Sequence, residues 1–209
     1  MDVRSVVTKN KIKMALLNCI KEKPLANILN KDIIAKSEVS TRTFYHYYLD
    51  KDEVLNEIEN EILAGLKKVN DQDYQNVTQV SSPLTNETNV ALAQKEFKYL
   101  IDYCDTVKEE GTILLSSNGD INFANKIREL SVKETKRRLD FLFENHYLTR
   151  KKKTEIPADI VINVYVETIV NTIITWLRSD SELSPYQVRE ILGLVQVKSP
   201  VQLLLLLKK

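Results

Sequence analysis

The sequence predicts an all-α protein, in which an N-terminal three-helix domain with a helix-turn-helix precedes a larger C-terminal helical bundle. Three observations predict this class. Apolar residues recur at spacings of three and four along most of the chain. Only 4 Gly and 5 Pro occur in 209 residues, too few for a loop-rich all-β protein, and 43% hydrophobic residues suffice for a core. We place the first domain at residues 1–50, continued by a connecting helix at 51–69, and the second at 70–209.

The first helix is predicted from about Val6 to Glu22, and Pro24 ends it. Its apolar residues follow the i, i+3, i+4, i+7, i+8 pattern of one helical face, with lysines opposite. This stripe, which supports the helices that follow, consists of Ile12, Ala15, Leu16, Cys19 and Ile20.

Residues 30–48 predict two short helices joined by a tight turn. Asn30 is placed to cap the first, and Ser40 is placed to cap the second, which runs from Thr41 to Tyr47 or Tyr48. Phe44 and Tyr48 fit the inside of a small bundle, whereas the other residues of that helix point outward. Two such helices and their turn predict a helix-turn-helix.

The next helix is predicted to start at once. Asp50 as cap and Glu53 three residues on form a capping-box pattern, and Lys51 stands where a phosphate could meet the positive end of the helix.

The stretch from Val39 to Leu55 resembles the signature of the tetracycline-repressor (TetR) family, I-A-x-x-A-G-V-S-x-x-T-F-Y-x-x-F-x-x-K-x-x-L. Ile34 stands where the family favours Ala, and Glu38 where it favours Gly in the turn. A left-handed Glu38 would cost on the order of 1 kcal/mol. The resemblance implies a transcriptional regulator that binds double-stranded DNA. The matching positions are Ile33, Val39, Ser40, Thr43, Phe44, Tyr45 and Lys51, and the final leucine of the pattern falls on Val54, next to Leu55.

The residue types of the second helix predict which side chains contact bases and which contact phosphates. Thr41 and Arg42 are the candidates for base edges, since an arginine can bridge a guanine with two hydrogen bonds. Residues 1–51 hold ten basic against five acidic residues, although the whole chain is only +1, which favours a phosphate-facing end. Tyr47 could instead pack on the first helix, and His46 could be an ordinary surface residue. The candidates for phosphate contacts are Thr43, Tyr45, His46, Tyr47 and Lys51.

The C-terminal part reads as further helices separated by polar segments. The connecting helix is expected to end near Val69, and Asp71 to Asn89 is expected to be a loop, either a mobile connection or a pocket lid. The basic run Arg150 to Lys153 reads as a solvated loop. The remaining predicted helices are Val90–Lys108, a short one at Ile113–Leu115, one or two within Asn122–Asn145, Pro157–Arg178, and a last one from Ser184 that carries a capping-box Gln187.

Apolar residues cover nearly every face of the helix at 157–178, which suggests a surface that a second copy completes. The resemblance implies the same, a homodimer through the last two helices at about 157–196. The leucines at 203–207 could pack over the contact between the two copies or extend into solvent. Aromatic residues at helical spacing could be core or could line a pocket for an unidentified small-molecule effector. The pocket candidates are Tyr99, Tyr103, Phe123, Phe141, Tyr165 and Trp176.

Nothing in the sequence predicts an enzyme, a cofactor or a metal site. No nucleophile-elbow, Walker, dinucleotide-binding or zinc-protease motif occurs, and the two His and two Cys residues are widely separated. Cys19 and Cys104 read as buried free thiols, and neither a signal peptide nor an uninterrupted membrane span is found. We therefore expect a cytoplasmic regulator, most simply a repressor. A transcriptional activator, or a helical binding protein that has lost its DNA affinity, are the alternatives.

Overall fold

The computed structural model describes residues 3–77, 95, 97–144, 157–179 and 182–205, and every regular element in these ranges is a helix, which confirms the all-α class. The helices are α1 (Val3–Glu22), a 3₁₀ turn (Leu25–Asn27), α2 (Asn30–Ser37), α3 (Thr41–Tyr47), α4 (Lys51–Val77), α5 (Lys98–Thr106), α6 (Lys108–Leu114), α7 (Phe123–Glu144), α8 (Ala158–Arg178), α9 (Pro185–Val197) and α10 (Pro200–Leu204).

The chain forms two compact units, neither of which is continuous in sequence. The first, called here the head unit, comprises Met1–Ala64 and Val107–Asn125. The second comprises Gly65–Thr106 and Lys126–Lys209, so α4 contributes to both. Sequence analysis had grouped residues 107–125 with the C-terminal domain. Their apolar residues, among them Ile113, Leu114 and Leu115, are instead buried within the head unit.

The core of the head unit is built on α1, as the apolar stripe predicts. Ile12, Leu16 and Ile20 are fully buried. Ion pairs beside this stripe also tie α1 to α4, since Lys9 Nζ lies 2.7 Å from Glu57 and Lys13 Nζ lies 2.7 Å from Glu61. The helix begins at Val3, one turn earlier than the apolar pattern indicates.

The start of α2 differs from the prediction that Asn30 caps it. Asn30 is the first residue of the helix, and the Leu29 amide before it donates to Asp32 Oδ2 at 2.9 Å. Asn30 is thereby free for another partner, and its Oδ1 accepts from the amide of Lys51 at 2.9 Å. The prediction of an Asn30 cap was therefore wrong, because the carboxylate three residues on reaches back to the exposed amide.

Asp32 makes the stability of the head unit depend on pH. The Lys23 ammonium, 2.6 Å from Asp32 Oδ2, and the Leu29 amide hold the pKa of Asp32 below its ordinary value of 3.8. A lowered folded-state pKa adds stability that is complete at neutral pH and is lost as the pH falls through that pKa. We expect Asp32→Asn to lower the Tm at pH 7, with a difference from wild type that shrinks below about pH 4. Thermal melts at pH 7 and pH 3 measure this, with the exposed Asp105→Asn as control; an equal loss at both pH values would contradict it.

The connecting helix is longer than predicted. α4 continues to Val77, so residues 71–77, which we had expected in a loop, are helical. Their polar side chains obscured the helical pattern because they make tertiary contacts: Asp73 is fully buried and accepts from the amides of Tyr99 at 3.0 Å and Leu100 at 2.9 Å. A buried carboxylate there satisfies amides at the start of α5. The rest of the expected loop, 78–89, lies outside the described residues.

The later helices agree with their predicted caps. Pro157 precedes α8, which runs unbroken to Arg178, and Ser184 and Gln187 form the capping box of α9. The predicted short helix at 113–115 belongs to α6, and a single α7 fills residues 123–144. Of the helix predicted from Val90, the structure describes α5, which begins at Lys98. The basic run 150–153 lies outside the described residues.

Helix α8 has the length and apolar composition of a membrane span, the only such helix in the part of the chain that the structure describes. The core helix of a soluble protein meets the same two criteria, and 39% of the apolar window of α8 is buried. Its buried residues are Val166, Ile169, Val170, Ile173, Ile174, Trp176 and Leu177.

Both cysteines are buried free thiols, as predicted. Burial raises the pKa of the Cys19 thiol, and it raises the pKa of Cys104 to about 12. Both thiols are therefore kept protonated and unreactive at neutral pH. Of the leucine tail, residues 203 and 204 end α10, whose start is capped by Ser199 and Gln202; residues 206–209 lie outside the described part.

Candidate nucleic-acid interface

The turn between α2 and α3 has the backbone geometry of a helix-turn-helix. Glu38 adopts φ 58° and ψ 22°, the left-handed conformation expected from its place in the motif, and it is the only non-glycine residue with positive φ in the described ranges. Ser40 Oγ then accepts from the Thr43 amide at 3.0 Å, so the predicted cap of α3 is confirmed. The tight turn and the cap fix where α3 begins relative to α2.

Helix α3 has one buried and one exposed face. Phe44 is fully buried and Tyr48 is 3% exposed, and their rings are 6.2 Å apart. Tyr45 is 51% exposed, although its ring meets the edge of Phe44 at 5.3 Å. Thr41, Arg42 and His46 are exposed beside it. Four of the seven predicted DNA-contacting side chains therefore share the outer face of one short helix.

The remaining predicted contacts on α3 are partly engaged within the protein. The Thr43 hydroxyl lies 2.7 Å from Ser40 Oγ, and the Tyr47 ring meets His46 edge-on at 4.8 Å. Tyr47 and Tyr48 line a groove along α4, whose other lining residues are Glu53, Asn56, Glu57, Asn60, Glu61 and Ala64. Of the three carboxylates in this lining, Glu57 and Glu61 are paired with Lys9 and Lys13 of α1.

Lys51 is held by the protein itself. Its ammonium donates to the carbonyl oxygens of Leu25 at 2.7 Å and Ile28 at 2.9 Å, with that of Ala26 at 3.5 Å. The amides at the start of α4 are also satisfied, because Asp50 Oδ1 accepts from the residue 52 amide at 2.9 Å and the residue 53 amide at 3.0 Å. The phosphate that the sequence pattern suggested here would meet donors that already have partners.

Arg42 on α3 and Lys31 on α2 are exposed cations of the helix-turn-helix. Within the described residues neither side chain has an ion pair or a hydrogen bond. Their neighbours are neutralised: Lys23 pairs with Asp32 and Lys36 with Glu22. Unpaired cations can reach a phosphate or a base edge without first breaking a contact.

The six aromatic pocket candidates are held by different elements. Phe123 is 1% exposed and lies in the head unit, apart from the other five. Trp176 Nε1 donates to the Leu183 carbonyl at 3.2 Å, and the Tyr165 hydroxyl donates to Gln196 Oε1 at 2.9 Å. Tyr99 lies under the Lys98 ammonium at 4.5 Å from its ring centre. Tyr103 packs its hydroxyl against Gly65, and Phe141 meets the edge of Tyr74 at 5.7 Å. Each candidate other than Phe123 therefore has at least one contact within the second unit.

Sequence reasoning missed a polar cluster between α4 and α7. Arg137 Nη1 lies 2.6 Å from Asp71 Oδ1, its guanidinium stacks 4.5 Å from the Tyr74 ring centre, and it also pairs with the buried Glu134. Next to it, the buried Arg138 donates to Asn70 Oδ1 at 3.2 Å. The spacing of polar residues at 70, 71 and 74 and at 134, 137 and 138 was the available signal, since each set falls on one helical face. No group of three or more His, Cys, Asp or Glu side chains in the described ranges is arranged to hold a metal ion.

Comparison with solved structures identifies the fold. A crystal structure of a TetR transcriptional regulator from Streptococcus agalactiae matches with a TM-score of 0.61 and 20% identity over 94% of this chain and 96% of that one. One described as a TetR-family transcriptional regulator from Syntrophomonas wolfei matches with a TM-score of 0.57 and 17% identity over 89% and 91%. At these identities the likeness concerns the fold. No curated protein sequence matches the chain.

A sequence comparison decides the family. The family model of a TetR-type transcriptional regulator C-terminal region matches residues 93–195. The chain belongs to the TetR family. The match lies outside the helix-turn-helix, so it is independent of the signature at Val39 to Leu55, which points to the same family. This TetR-family protein is accordingly a DNA-binding transcriptional regulator, and the exposed face of α3 is its candidate DNA surface.

Proposed function

We propose that this TetR-family protein is a ligand-responsive repressor that binds a palindromic operator as a homodimer. The observation that supports this most directly is the exposed face of α3, which presents Arg42 and Tyr45 on a helix whose other face is fixed in a core. DNA binding is then assigned to residues 1–50 and the connecting helix, which share the head unit with segment 107–125, and effector binding and dimerisation to the rest of residues 70–209. Cytoplasmic action follows from access to the chromosome.

Selection of genomic fragments by the purified protein tests the proposal, beside the double variant Arg42→Ala, Tyr45→Ala. Enrichment of a few palindromic sites by wild type alone is the expected result. Reporter expression from such a site should then fall when the protein is present. Failure of a folded protein to enrich any site, with and without candidate effectors, would overturn operator binding.

Arg42 gives a sharper prediction at a single position. An arginine bridging a guanine supplies about 1–3 kcal/mol of discrimination, so Arg42→Ala should weaken operator binding by about 10- to 100-fold and relax the preference at one base pair per half-site. Binding titrations against operators changed at each position in turn measure both effects. The matched control is Lys68→Ala, which removes an exposed cation of α4 outside the head unit. If Arg42→Ala weakened all sequences equally, a phosphate contact would replace the base contact.

The homodimer is proposed on an exposed stripe of α8. Ile160, Val161 and Val164 are 57%, 54% and 63% exposed, on a helix whose remaining apolar residues are largely buried. Thr168, Asn171 and Thr175 continue the stripe at helical spacing. An exposed apolar patch at the start of α8, continued along the same face by small polar side chains, fits an isologous two-fold contact, in which each copy covers the other.

A charge in the stripe should dissociate the dimer. We expect Val164→Glu to weaken self-association by about 100-fold or more, because an unpaired carboxylate in an apolar contact costs several kcal/mol. Sedimentation across a concentration series measures the change. Asn163→Glu, which places the same charge on the exposed flank of α8, is the control. A dimer that tolerated Val164→Glu would have its contact elsewhere.

The effector is proposed to be a small molecule bound in the second unit, where Tyr99, Tyr103, Phe141, Tyr165 and Trp176 supply apolar surface. Such a molecule can change DNA occupancy only through a difference in its affinity for the two states of the dimer. A shift from 99:1 to 1:99 requires about 5.5 kcal/mol of that difference. A pocket variant that lost ligand binding yet kept ligand-induced release of DNA would contradict this mechanism.

A further inference from the structure

The 3₁₀ turn at Leu25–Asn27 links α1 to α2, and Lys51 binds it through hydrogen bonds. The ammonium of Lys51 lies at the end of this turn and donates to the carbonyls of Leu25 and Ile28 at 2.7 and 2.9 Å, with Ala26 at 3.5 Å. An ammonium has three hydrogens, so these three carbonyls account for all its donors. The backbone amide of Lys51 adds a fourth link, to Asn30 at the start of α2.

Asn118 also forms hydrogen bonds with this turn and with the end of α1. Its carbonyl accepts from the Leu25 amide at 2.8 Å, and its side-chain Nδ2 donates to the Ile20 carbonyl at 3.1 Å near the end of α1. Lys21 adds an ion pair to Glu109 at 2.6 Å. The Leu25 residue is therefore bonded at its amide by the segment 107–125 and at its carbonyl by α4.

We propose that Lys51 and Asn118 are positioning residues, which clamp the Leu25 backbone and thereby orient α2 and α3 for DNA. On this view Lys51 is not a phosphate contact, although its place in the signature suggests one. The inference rests on the proposed operator binding for its DNA readout. The hydrogen bonds of Lys51 and Asn118, called here the clamp, lie within the head unit. They can be measured without DNA.

The geometry supports positioning over phosphate contact. To reach a phosphate, the Lys51 ammonium would have to leave three carbonyl oxygens, and those carbonyls would lose their shared donor. Releasing the turn would in turn move Asn30 and the start of α2, which carries the helix-turn-helix. A side chain that only met phosphate would have no such effect on the backbone at residues 25–28.

Two variants separate the roles. Lys51→Met keeps the aliphatic stem and removes the ammonium, and Asn118→Asp keeps the shape and removes the Nδ2 donor. Lys31→Met removes an exposed lysine of α2 that has no ion pair or hydrogen bond within the described residues, and it is the control for the exchange measurement, where we expect no change. Amide hydrogen exchange at Leu25 and Ile28, measured by NMR on the full chain without DNA, reports the clamp. The dependence of operator affinity on salt concentration reports phosphate contacts.

We expect Lys51→Met and Asn118→Asp each to speed exchange at Leu25 and Ile28 by about tenfold or more, and to weaken operator binding while leaving the salt slope unchanged. Loss of one phosphate contact would reduce that slope by about 0.9. The double variant should lose less than the product of the two single losses, because both side chains hold the backbone between residues 20 and 28, Asn118 at the Ile20 carbonyl and Lys51 at the Leu25 and Ile28 carbonyls. Unchanged exchange with a reduced slope for Lys51→Met would overturn the proposal.

The outcomes distinguish this inference from the proposed function. If wild type binds no operator, the proposed function fails, whereas the exchange rates still decide whether the clamp exists. If Lys51→Met does not fold, Asn118→Asp tests the clamp from the opposite side of the turn. If a folded Asn118→Asp protein exchanged the Leu25 and Ile28 amides at the wild-type rate, that result would contradict the clamp.

Discussion

Replacement of Phe44 by alanine should lower the free energy of unfolding by about 4 kcal/mol, since truncating a fully buried phenylalanine removes its burial and leaves a cavity. Phe44 is 0% exposed and sits between the rings of Tyr45 and Tyr48, at 5.3 and 6.2 Å. It is the buried anchor of α3, so its loss should also abolish operator binding. Urea unfolding followed by circular dichroism gives the free energy, and a binding titration gives the second effect.

Tyr45→Ala is the matched control for Phe44→Ala. It alters the adjacent residue of the same helix, but Tyr45 is 51% exposed and hydrogen-bonds weakly, at 3.4 Å, to Asn30. We expect its unfolding free energy to stay within about 0.5 kcal/mol of wild type, while operator binding weakens. A stable Phe44→Ala protein, or a Tyr45→Ala protein as unstable as Phe44→Ala, would contradict the two faces assigned to α3.

Gly119→Ala is the second substitution with a large expected effect. A Cβ atom at Gly119 would lie 2.0 Å from the Leu114 carbonyl oxygen and 2.5 Å from its carbon, so the clash is with backbone. The turn is held by hydrogen bonds from the Gly119 amide to Ser116 at 3.1 Å and from the Asp120 amide to Leu114 at 3.0 Å. Relieving the clash must break them, and we expect a loss of about 3 kcal/mol, at the upper end for overpacking.

Gly65→Ala provides the comparison for Gly119→Ala. Its Cβ would lie 2.1 Å from the Tyr103 hydroxyl and 2.2 Å from its Cζ, so the clash is with the far end of a side chain and not with backbone. Alanine also gains about 1 kcal/mol over glycine inside a helix. Denaturation of both variants should therefore show a much smaller loss for Gly65→Ala. Equal losses, or a Gly119→Ala protein as stable as wild type, would show that the turn can move.

The parts of the fold that depend on nearest neighbours were predictable from sequence. Ser40 and Ser184 predict the starts of α3 and α9, because a cap needs only a hydroxyl oxygen that accepts a hydrogen bond from the amide three residues on. The inward Phe44 and outward Arg42 follow from helical periodicity alone. The left-handed Glu38 follows from its place in the motif, which fixes a turn at that residue.

The parts that depend on distant partners were not predictable. Residues 71–77 look like loop because Asp71 and Asp73 are polar, and only their contacts with Arg137 and the Tyr99 amide explain why a helix keeps them. Lys51 fits a phosphate pattern in sequence, and nothing local indicates that the carbonyls of residues 25–28 surround it. Membership of 107–125 in the head unit has the same origin, a contact across some ninety residues.

The discontinuity of the head unit limits how such a protein can be divided or recombined. A fragment that stops at Ala64 omits residues 107–125, and with them the Asn118 bonds to Ile20 and Leu25 and the apolar side chains that this segment buries. The DNA-reading portion is therefore not a module that a single genetic crossover can transplant. An exchange of specificity between relatives must carry both pieces together, or else confine itself to the few exposed positions of α3, where a change of side chain leaves the shared scaffold untouched.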